Sequence, residues 1–378
     1  MRIAIPRPAN RIHVFALLAL IFLFTGIVLT ALFWVPAGKL KISTELSPAT
    51  TLEGLLKNGK TVFVSPEYIA LIPAARRSAM ISPGEAALAM KSASEFLKLN
   101  RKHRFTHILL SGSPSSRPLL DSLSSTPLWV LTDVEPWGYL FASPGAPTWT
   151  LPSRSILEKK YPGTEERTLW MIGTAGNLAA IHHWEEAGQL LAEAEQSRCF
   201  PSLVLGARSS IAASQGRWQE ALTLSRQALA KDPSNGSARQ TLVRSLIECN
   251  RTDEALDEAR ALTNGNGEDQ QSLFLLARAA NASGSNTEEI EALEKLTALA
   301  RSDGQPMGVI LTYLGQANAK MGRRGEALRA FQLAVVSPEL STQQRAMIRE
   351  IMDHIMVDEK SSTTLPDVTP EASSGHSR

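Results

Sequence analysis

Apolar positions along most of this chain follow a helical period, and the helical pattern itself repeats. The segments HHWEEAGQLLAEA (182–194) and GRWQEALTLSRQA (216–228) align at a spacing of 34 residues, which places Trp184 and Trp218 at the same position. A fixed period of this length indicates stacked helical hairpins, because each hairpin buries its apolar face against the next. We predict five hairpins and then a capping helix at 342–357. The hairpins occupy 168–201, 202–235, 236–269, 270–307 and 308–341.

Small residues mark two positions of this repeat, one on each helix of a hairpin. They are Ala187, Ala221, Ala255 and Ala327 on the second helices, and Ala175, Ser209, Ala277 and Gly315 on the first helices. Small side chains at these positions let two helices cross closely. Glu289 breaks the second-helix column, and Leu262 and Leu296 stand where smaller residues are expected. We therefore predict looser packing around 260–300.

A different pattern precedes the repeats, in which short β-branched and apolar runs alternate with helical segments. The runs are TVFVS (61–65), THILLS (106–111), PLWVLTD (127–133) and GYLFAS (138–143). Ser82, Pro83 and Glu85 form a capping-box signature for a long helix between the first two runs. This alternation predicts a small α/β domain at 47–150, with a mostly parallel sheet and a hairpin from the last two strands. A linker with a short helix follows at 151–167.

The N-terminal region is apolar enough to enter a membrane. Residues 13–35 include no charged side chain, and about 20 apolar residues are needed to cross a bilayer. Three arginines precede the span and two lysines follow it, which favours a cytoplasmic segment at 1–12 and an extracytoplasmic body after the linker 36–46. We therefore predict a single-pass membrane protein, with export after signal cleavage as the alternative. The polar tail at 358–378 is predicted to be disordered.

Composition and candidate chemistry argue against several classes of function. The chain carries 39 Lys and Arg residues against 37 Asp and Glu residues, a balance that does not favour nucleic acid as a partner. Cys199 and Cys249 lack metal-ligand spacing, and we interpret them as small buried side chains. Asp133 and Glu135 have no companion of recognisable spacing, and we interpret them as part of a solvated loop. We predict no catalytic, cofactor-binding or metal-binding residue, no small-molecule substrate, and no enzymatic activity.

Two polar segments have structural explanations as well as functional ones. The loop SGSPSSR (111–117) could hold an anion at a helix N-terminus, but its residues are also ordinary turn formers, which is the interpretation we favour. The basic run at 98–104 could bind an anionic surface. It also falls in the last turn of the predicted helix, where cations interact favourably with the helix dipole.

The repeats resemble the tetratricopeptide repeat (TPR) family. The segment LGQANAKMGRRGEALRAFQLAV (314–335) is similar to the helix–turn–helix core of that family, and GRWQEALTLSRQALAKDPSN (216–235) is similar to its second helix and terminal proline. The resemblance implies an α-solenoid of about five hairpins with a capping helix. Together with the N-terminal transmembrane helix and the small α/β domain predicted above, this gives a mainly α fold. Such solenoids bind another protein or peptide on the concave face formed by the first helices.

One column on these first helices suggests where a partner binds. Arg244 and Arg278 lie 34 residues apart and are predicted to project in the same direction from adjacent repeats. We predict a peptide groove whose arginine pair receives an acidic segment or a carboxylate. The alternative is that both arginines are solvated or pair with local acids such as Glu248. The predicted protein-binding residues are Gln240, Arg244, Phe274, Arg278, Asn281, Gln316 and Lys320.

The α/β region resembles a second family. The order VFVS, long helix, FTHILLSGSP, LLDSL, PLWVLTD, GYLFAS is similar to the soluble domain that follows the membrane spans of multi-spanning lipid-linked-sugar glycosyltransferases. Those enzymes carry their catalytic acids in the membrane part, so the resemblance implies a non-catalytic module. The leading prediction is a membrane-anchored TPR scaffold with its body outside the cytoplasm. The alternative is an accessory or degenerate component of cell-envelope glycosylation or polysaccharide export.

Overall fold

The computed structural model describes residues 47–69, 71, 81–266, 269–302 and 306–362. The predicted membrane anchor at 13–35, its flanks and most of the C-terminal tail lie outside these residues. Among the helices that are described, none combines the length and the apolar character needed to cross a bilayer. The chain divides into two compact units, Met1–Cys249 (the N-terminal unit) and Asn250–Arg378 (the C-terminal unit).

The described residues are mainly helical and include one small sheet, which confirms the predicted fold class at this level. The N-terminal unit contains α1 (Pro48–Lys57), β1 (Val62–Val64), α2 (Pro66–Ile69), α3 (Pro83–Lys91), α4 (Ala93–His103), β2 (His107–Ser111), α5 (Arg117–Ser124), β3 (Val130–Glu135), β4 (Gly138–Ala142), α6 (Arg154–Lys160), α7 (Thr164–Ala180), α8 (Trp184–Gln196), α9 (Pro201–Ser214), α10 (Trp218–Lys231) and α11 (Gly236–Glu248). The C-terminal unit contains α12 (Thr252–Asn266), α13 (Gln270–Ser283), α14 (Asn286–Ser302), α15 (Gly308–Lys320), α16 (Arg324–Val335) and α17 (Thr342–Ser362).

The four strands form a sheet in the order β1-β2-β4-β3, which corrects the prediction of a mostly parallel sheet. Only β1 and β2 are parallel; β4 is antiparallel to both of its neighbours. The short β3–β4 connection makes a hairpin, and β4 rather than β3 then pairs with β2. This arrangement needs Gly138, because a Cβ there would lie 2.0 Å from the Leu110 carbonyl oxygen. Strand β3 is thereby left at the edge of the sheet.

The predicted long helix before β2 is two helices. Its start is as expected: Ser82 accepts from the Glu85 backbone N–H at 3.2 Å, and the Glu85 carboxylate accepts from the Ser82 backbone N–H at 3.0 Å. Ser82 thereby holds the pKa of the Glu85 carboxyl below its usual range. The helix is interrupted at Ser92, whose backbone is extended. The break allows Phe96 of α4 to reach the core, where its ring meets Phe63 edge-on at 5.2 Å.

The turn between β3 and β4 is seated on α7. A Cβ at Gly173 would lie 2.7 Å from Pro136, so the absence of a side chain allows helix and turn to touch. Tyr139 donates its hydroxyl to the Asn177 carbonyl at 2.9 Å, and the Asn177 side chain donates to the Glu135 carbonyl at 2.6 Å. The α/β domain and the first helical hairpin therefore share one continuous apolar core.

The helices from α7 onward follow one another as hairpins. In the N-terminal unit, α7 packs on α8, and α9 packs on both α10 and α11. In the C-terminal unit each helix from α12 to α17 packs on the next. The alanines of the second-helix column are fully buried; they are Ala187, Ala221, Ala255 and Ala327. At Gly315 a Cβ would lie 2.6 Å from the buried ring of Phe331, which explains why that first-helix position carries no side chain.

Three residues replace the small side chains expected in the repeat, but they do not loosen the packing around 260–300 as the sequence predicts. Leu262, Leu296 and Glu289 are all buried. The two leucines add apolar area to the interior, whereas Glu289 places a carboxylate there. A buried charge requires partners, and the partners of Glu289 define the candidate site.

Candidate protein-binding surface

Five of the predicted binding residues lie on two neighbouring first helices of the C-terminal unit. Phe274, Arg278 and Asn281 are on α13, and Gln316 and Lys320 are on α15. Spacings of three, four and seven residues place side chains on the same face of a helix. Helix α14 packs against both α13 and α15, so side chains from all three helices can meet.

Glu289 of α14 joins the two predicted helices. Its side chain is only about 2% exposed. Asn281 donates a hydrogen bond of 2.5 Å to Glu289 Oε1, and Lys320 Nζ lies 3.6 Å from Oε2. Oε2 is buried and accepts no hydrogen bond from any residue that the structure describes. One carboxylate thus has an amide from α13 and the ammonium group of Lys320 from α15 as its neighbours.

An aromatic pair adjoins this polar group. The rings of Phe274 and Tyr313 meet edge-on with centroids 5.9 Å apart, and both side chains are half-buried against the apolar core of this unit. Burial raises the pKa of the Tyr313 hydroxyl, the nearby charge of Glu289 raises it further, and the charge of Arg278 acts in the opposite direction. Arg278 and Glu289 therefore each lie within electrostatic reach of the Tyr313 hydroxyl.

We call this group the α13–α15 surface: Phe274, Arg278, Asn281, Glu289, Tyr313, Gln316 and Lys320. Its formal charge at neutral pH is +1, from Arg278 and Lys320 against Glu289. An edge-on aromatic pair provides apolar contact area, and the two cations provide charge-assisted donors. The arrangement suits an extended segment that carries both a carboxylate and an apolar side chain.

The other two predicted residues lie in the N-terminal unit. Gln240 is half-buried on α11, and Arg244 on the same helix is only about 7% exposed. Arg278 is half-buried in its own unit. The predicted pairing of Arg244 with Arg278 joins residues from both units and stays a prediction.

Sequence reasoning does not identify Glu289 and Tyr313 as members of a site. In the sequence, Glu289 stands out only as an irregularity in the small column. The sequence nevertheless contains a usable signal. An acid at a position that is a buried alanine in other repeats is itself buried, so it needs polar or cationic neighbours on the adjacent helices. Asn281 and Lys320, which are predicted independently for the partner-binding face, are those neighbours: the amide donates a hydrogen bond and the ammonium forms a long ion pair. Tyr313 lies three residues before Gln316, on the same face of α15.

The interpretation of Asp133 and Glu135 as a solvated loop is wrong for Glu135. Both residues belong to strand β3, and the side chain of Glu135 is buried. Its carboxylate accepts hydrogen bonds from Lys160 Nζ at 2.5 Å, Tyr161 Oη at 3.1 Å and Trp170 Nε1 at 2.7 Å. The donors are Lys160 in α6, Tyr161 directly after that helix, and Trp170 in α7. They follow Glu135 by 25 to 35 residues in the sequence.

The remaining polar candidates have internal partners. Glu67 accepts hydrogen bonds from Ser113 at 2.8 Å and Ser115 at 2.6 Å, so the serine loop already holds a carboxylate of its own chain. In the basic run of α4, Lys98 pairs with Glu95 at 2.7 Å and Lys102 lies 3.5 Å from Glu85. The two cysteines are free thiols and are half-buried rather than fully buried. The described ranges contain no cluster of three acids, histidines or cysteines able to hold a metal ion.

Comparison with known proteins adds a family for part of the chain. Residues 212–279 match the tetratricopeptide repeat family. No curated protein matches the chain. The match supports the TPR interpretation of the repeats; no comparison supports the resemblance of 47–150 to a glycosyltransferase domain.

Several solved structures are similar to about half of the chain. The MamA RS-1 ArsTM double mutant is 18% identical, with 51% of this chain and 97% of that chain covered and a TM-score of 0.39. YrrB, described as a TPR protein with an unusual peptide-binding site, is 14% identical, with 56% and 100% covered and a TM-score of 0.41. Yeast Tom70 is 16% identical, with 55% and 44% covered and a TM-score of 0.42.

Proposed function

We propose that this protein is a TPR scaffold that binds an acidic peptide segment of another protein through the α13–α15 surface. The observation that carries the proposal is the cluster around Glu289, where Asn281 of α13 and Lys320 of α15 flank the buried carboxylate. Arg278 and Lys320 supply positive charge beside the aromatic pair Phe274 and Tyr313. A carboxylate of the partner would interact with both cations, and an apolar residue next to it would cover the rings.

Glu289 has an indirect role in this proposal. It orients Asn281 and Lys320 through contacts of 2.5 Å and 3.6 Å, and it reduces the repulsion between two cations on neighbouring helices. Holding long side chains in place before binding lowers the entropic cost of association. Glu289 is therefore a positioning residue and does not itself contact the partner.

The test is peptide selection followed by a charge-matched comparison. A library of displayed random peptides is selected against the full chain, and the best peptide is measured by fluorescence anisotropy beside its Asn/Gln counterpart. We expect enrichment of Asp and Glu, and at least about a tenfold loss of affinity in Arg278→Glu and Lys320→Glu because a charge-assisted contact becomes a repulsion. Arg301→Glu, an exposed arginine of α14, is the matched control and should bind within about twofold of wild type.

Selected peptides without acidic enrichment would contradict the proposal, as would equal losses in Arg278→Glu and Arg301→Glu. Affinity for the acidic peptide should also fall as salt rises from 50 to 500 mM, because the Debye length decreases from about 14 Å to about 4 Å over this range. A neutral peptide bound with equal affinity at both salt concentrations would assign the surface to apolar recognition instead.

We further propose that residues 13–35 anchor the protein in a membrane with the repeats outside the cytoplasm. This is supported by the uncharged length of the segment and by the excess of arginine before it. Resistance of the full chain to alkaline extraction from membranes, together with protease access to the repeats from outside intact cells, is the expected result. Release by alkali or a mature N-terminus beyond residue 35 would refute the anchor. An accessory role in cell-envelope glycosylation would require binding of a polyprenyl phosphate by the full chain.

A further inference from the structure

A cavity of about 240 Å³ lies in the N-terminal unit, beside the edge strand β3. Its walls come from β3, from the segment 147–152, from α6 and from Trp170 of α7. The backbone N–H of Trp149 donates to the Leu131 carbonyl at 2.7 Å, which fastens the 147–152 segment along the free edge of β3. One water occupies roughly 30 Å³ of liquid volume, so the cavity has room for a group the size of a side chain.

A bulge in β3 accounts for the polar wall of this cavity. The pairing of β3 with β4 shifts register between Leu131 and Asp133. Consecutive residues of a regular strand face opposite sides, whereas a bulge redirects a side chain. Here both Thr132 and Asp133 line the cavity, together with Glu135.

The two carboxylates of this wall are in different situations. Glu135 already accepts three hydrogen bonds, one of them from Lys160 at 2.5 Å. Asp133 accepts a hydrogen bond of 2.9 Å from the N–H of Val134, the residue that follows it. Lys160 is thus committed to Glu135, and the formal charge of Asp133, Glu135 and Lys160 together is −1.

The electrostatics of Asp133 agree with this difference. Burial and the neighbouring charge of Glu135 raise the pKa of Asp133 to about 6, and Lys160 and the Val134 N–H only partly oppose them. The Tyr161 hydroxyl also faces this group, and the charges of Glu135 and Asp133 add to the effect of burial in raising its pKa. At neutral pH most Asp133 side chains are ionised in a place where a negative charge is disfavoured. A cation beside Asp133 would relieve that cost.

The lining also includes apolar and aromatic side chains, beside the threonines at 148 and 150. Trp149 and Trp170 contribute aromatic rings, and Ile156 and Leu157 of α6 contribute aliphatic surface. Ile156 is about 55% exposed, so its side chain is accessible to a ligand. Aromatic rings attract organic cations, and aliphatic surface accommodates a methylene stem.

We propose that this cavity binds the end of an amphipathic organic cation, an alkylammonium or alkylguanidinium group, with Asp133 as the carboxylate that receives it. The group can belong to a small free amine or to a lysine or arginine side chain of another protein. An anion is disfavoured because two carboxylates line the cavity. The site is separate from the α13–α15 surface in residues and in the sign of its charge, so either proposal can fail without the other.

The experiment is calorimetric titration of the full chain at pH 7.5 with three probes of similar stem length: pentylamine, agmatine and the neutral pentanol. We expect both cations to bind and pentanol to bind at least about tenfold more weakly, because it cannot form a charge-assisted hydrogen bond. Asp133→Asn should reduce cation affinity at least about tenfold. Asp253→Asn, an exposed acid of α12, is the matched control and should leave it unchanged.

The pH dependence of the wild-type protein gives a second readout that requires no variant. A cation favours ionised Asp133, so its affinity should be complete above about pH 7 and fall as the pH decreases through 6. A peptide with one central lysine, compared with its acetyl-lysine form, distinguishes the two sources. If the lysine peptide binds as tightly as pentylamine, the ligand of this cavity is a side chain of another protein. If only the free amines bind, the ligand is a small molecule. Equal binding of pentanol and pentylamine, or an affinity that is constant between pH 5 and 7.5, would overturn the proposal.

Discussion

Replacing Glu289 with alanine separates what this residue does for folding from what it does for binding. The side chain is buried at a helix position that is alanine in four other hairpins. Glu289→Ala restores the small residue and removes a carboxylate from the interior. We expect the fold to become more stable, or to keep its stability, while affinity for an acidic peptide falls.

The magnitude follows from the contacts. Burying a carboxylate costs several kcal/mol, and a good ion pair is needed to offset it. The pair with Lys320 is long at 3.6 Å and the lysine side chain is 35% exposed, so it contributes at most about 1 kcal/mol. The hydrogen bond from Asn281 contributes about 1 kcal/mol, and the space left by the deleted atoms costs about 1 kcal/mol. The free energy of unfolding is therefore expected to change by about 0 to +2 kcal/mol.

Urea denaturation followed by circular dichroism measures this change, with anisotropy on the selected peptide as the second assay. Glu291→Ala, an exposed glutamate on the same helix, controls for the loss of charge and should change stability by less than about 0.5 kcal/mol. A loss of more than about 2 kcal/mol in Glu289→Ala would show that the buried carboxylate stabilises the fold. Unchanged peptide affinity would show that Glu289 does not position the surface.

Two further predictions concern the contact between the β3–β4 turn and α7. Glu135→Ala should lower the free energy of unfolding by roughly 3 kcal/mol, because it leaves the buried indole N–H of Trp170 and a tyrosine hydroxyl without an acceptor. Urea denaturation followed by tryptophan fluorescence measures this loss. A loss below about 1 kcal/mol would refute the role of this network. Gly173→Ala should cost about 1–3 kcal/mol, because the new methyl group lies 2.7 Å from a proline carbon of the turn. Gly188→Ala in α8 has open space around it and should raise the melting temperature instead, so equal shifts for the two alanines would contradict the packing argument.

Local signals are sufficient to predict the helices of the repeats and the start of α3. The period of 34 residues by itself indicates helical hairpins, and the described helices α7 to α16 follow one another in that way. The capping box at Ser82 and Glu85 marks the start of α3, because both of its hydrogen bonds form between residues three apart. The burial of the alanine columns also follows from the repeat itself, since equivalent positions face equivalent neighbours.

Long-range pairings are not predictable in the same way. The insertion of β4 between β2 and β3 depends on a close approach at Gly138, which a strand pattern does not reveal. The break at Ser92 has no proline or glycine to announce it. Glu135 resembles a loop acid in the sequence because its donors lie 25 to 35 residues away, on helices assigned to a linker and a different domain. Glu289 can be recognised from the repeat as an exception but not as the centre of a site.

The contact between the β3–β4 turn and α7 determines where this protein can be divided into stable fragments. A boundary near residue 150 separates a strand pattern from a helical one, and it is where a fragment would ordinarily be designed. Cleavage there would strip Trp170 and Asn177 of their partners and expose apolar area on both products, because one core runs through both parts. A fragment that includes any part of the N-terminal unit should therefore keep residues 47–249 together. Partner searches that use the repeats alone would expose the face of α7 that the β3–β4 turn covers in the intact chain, and could capture proteins on that face.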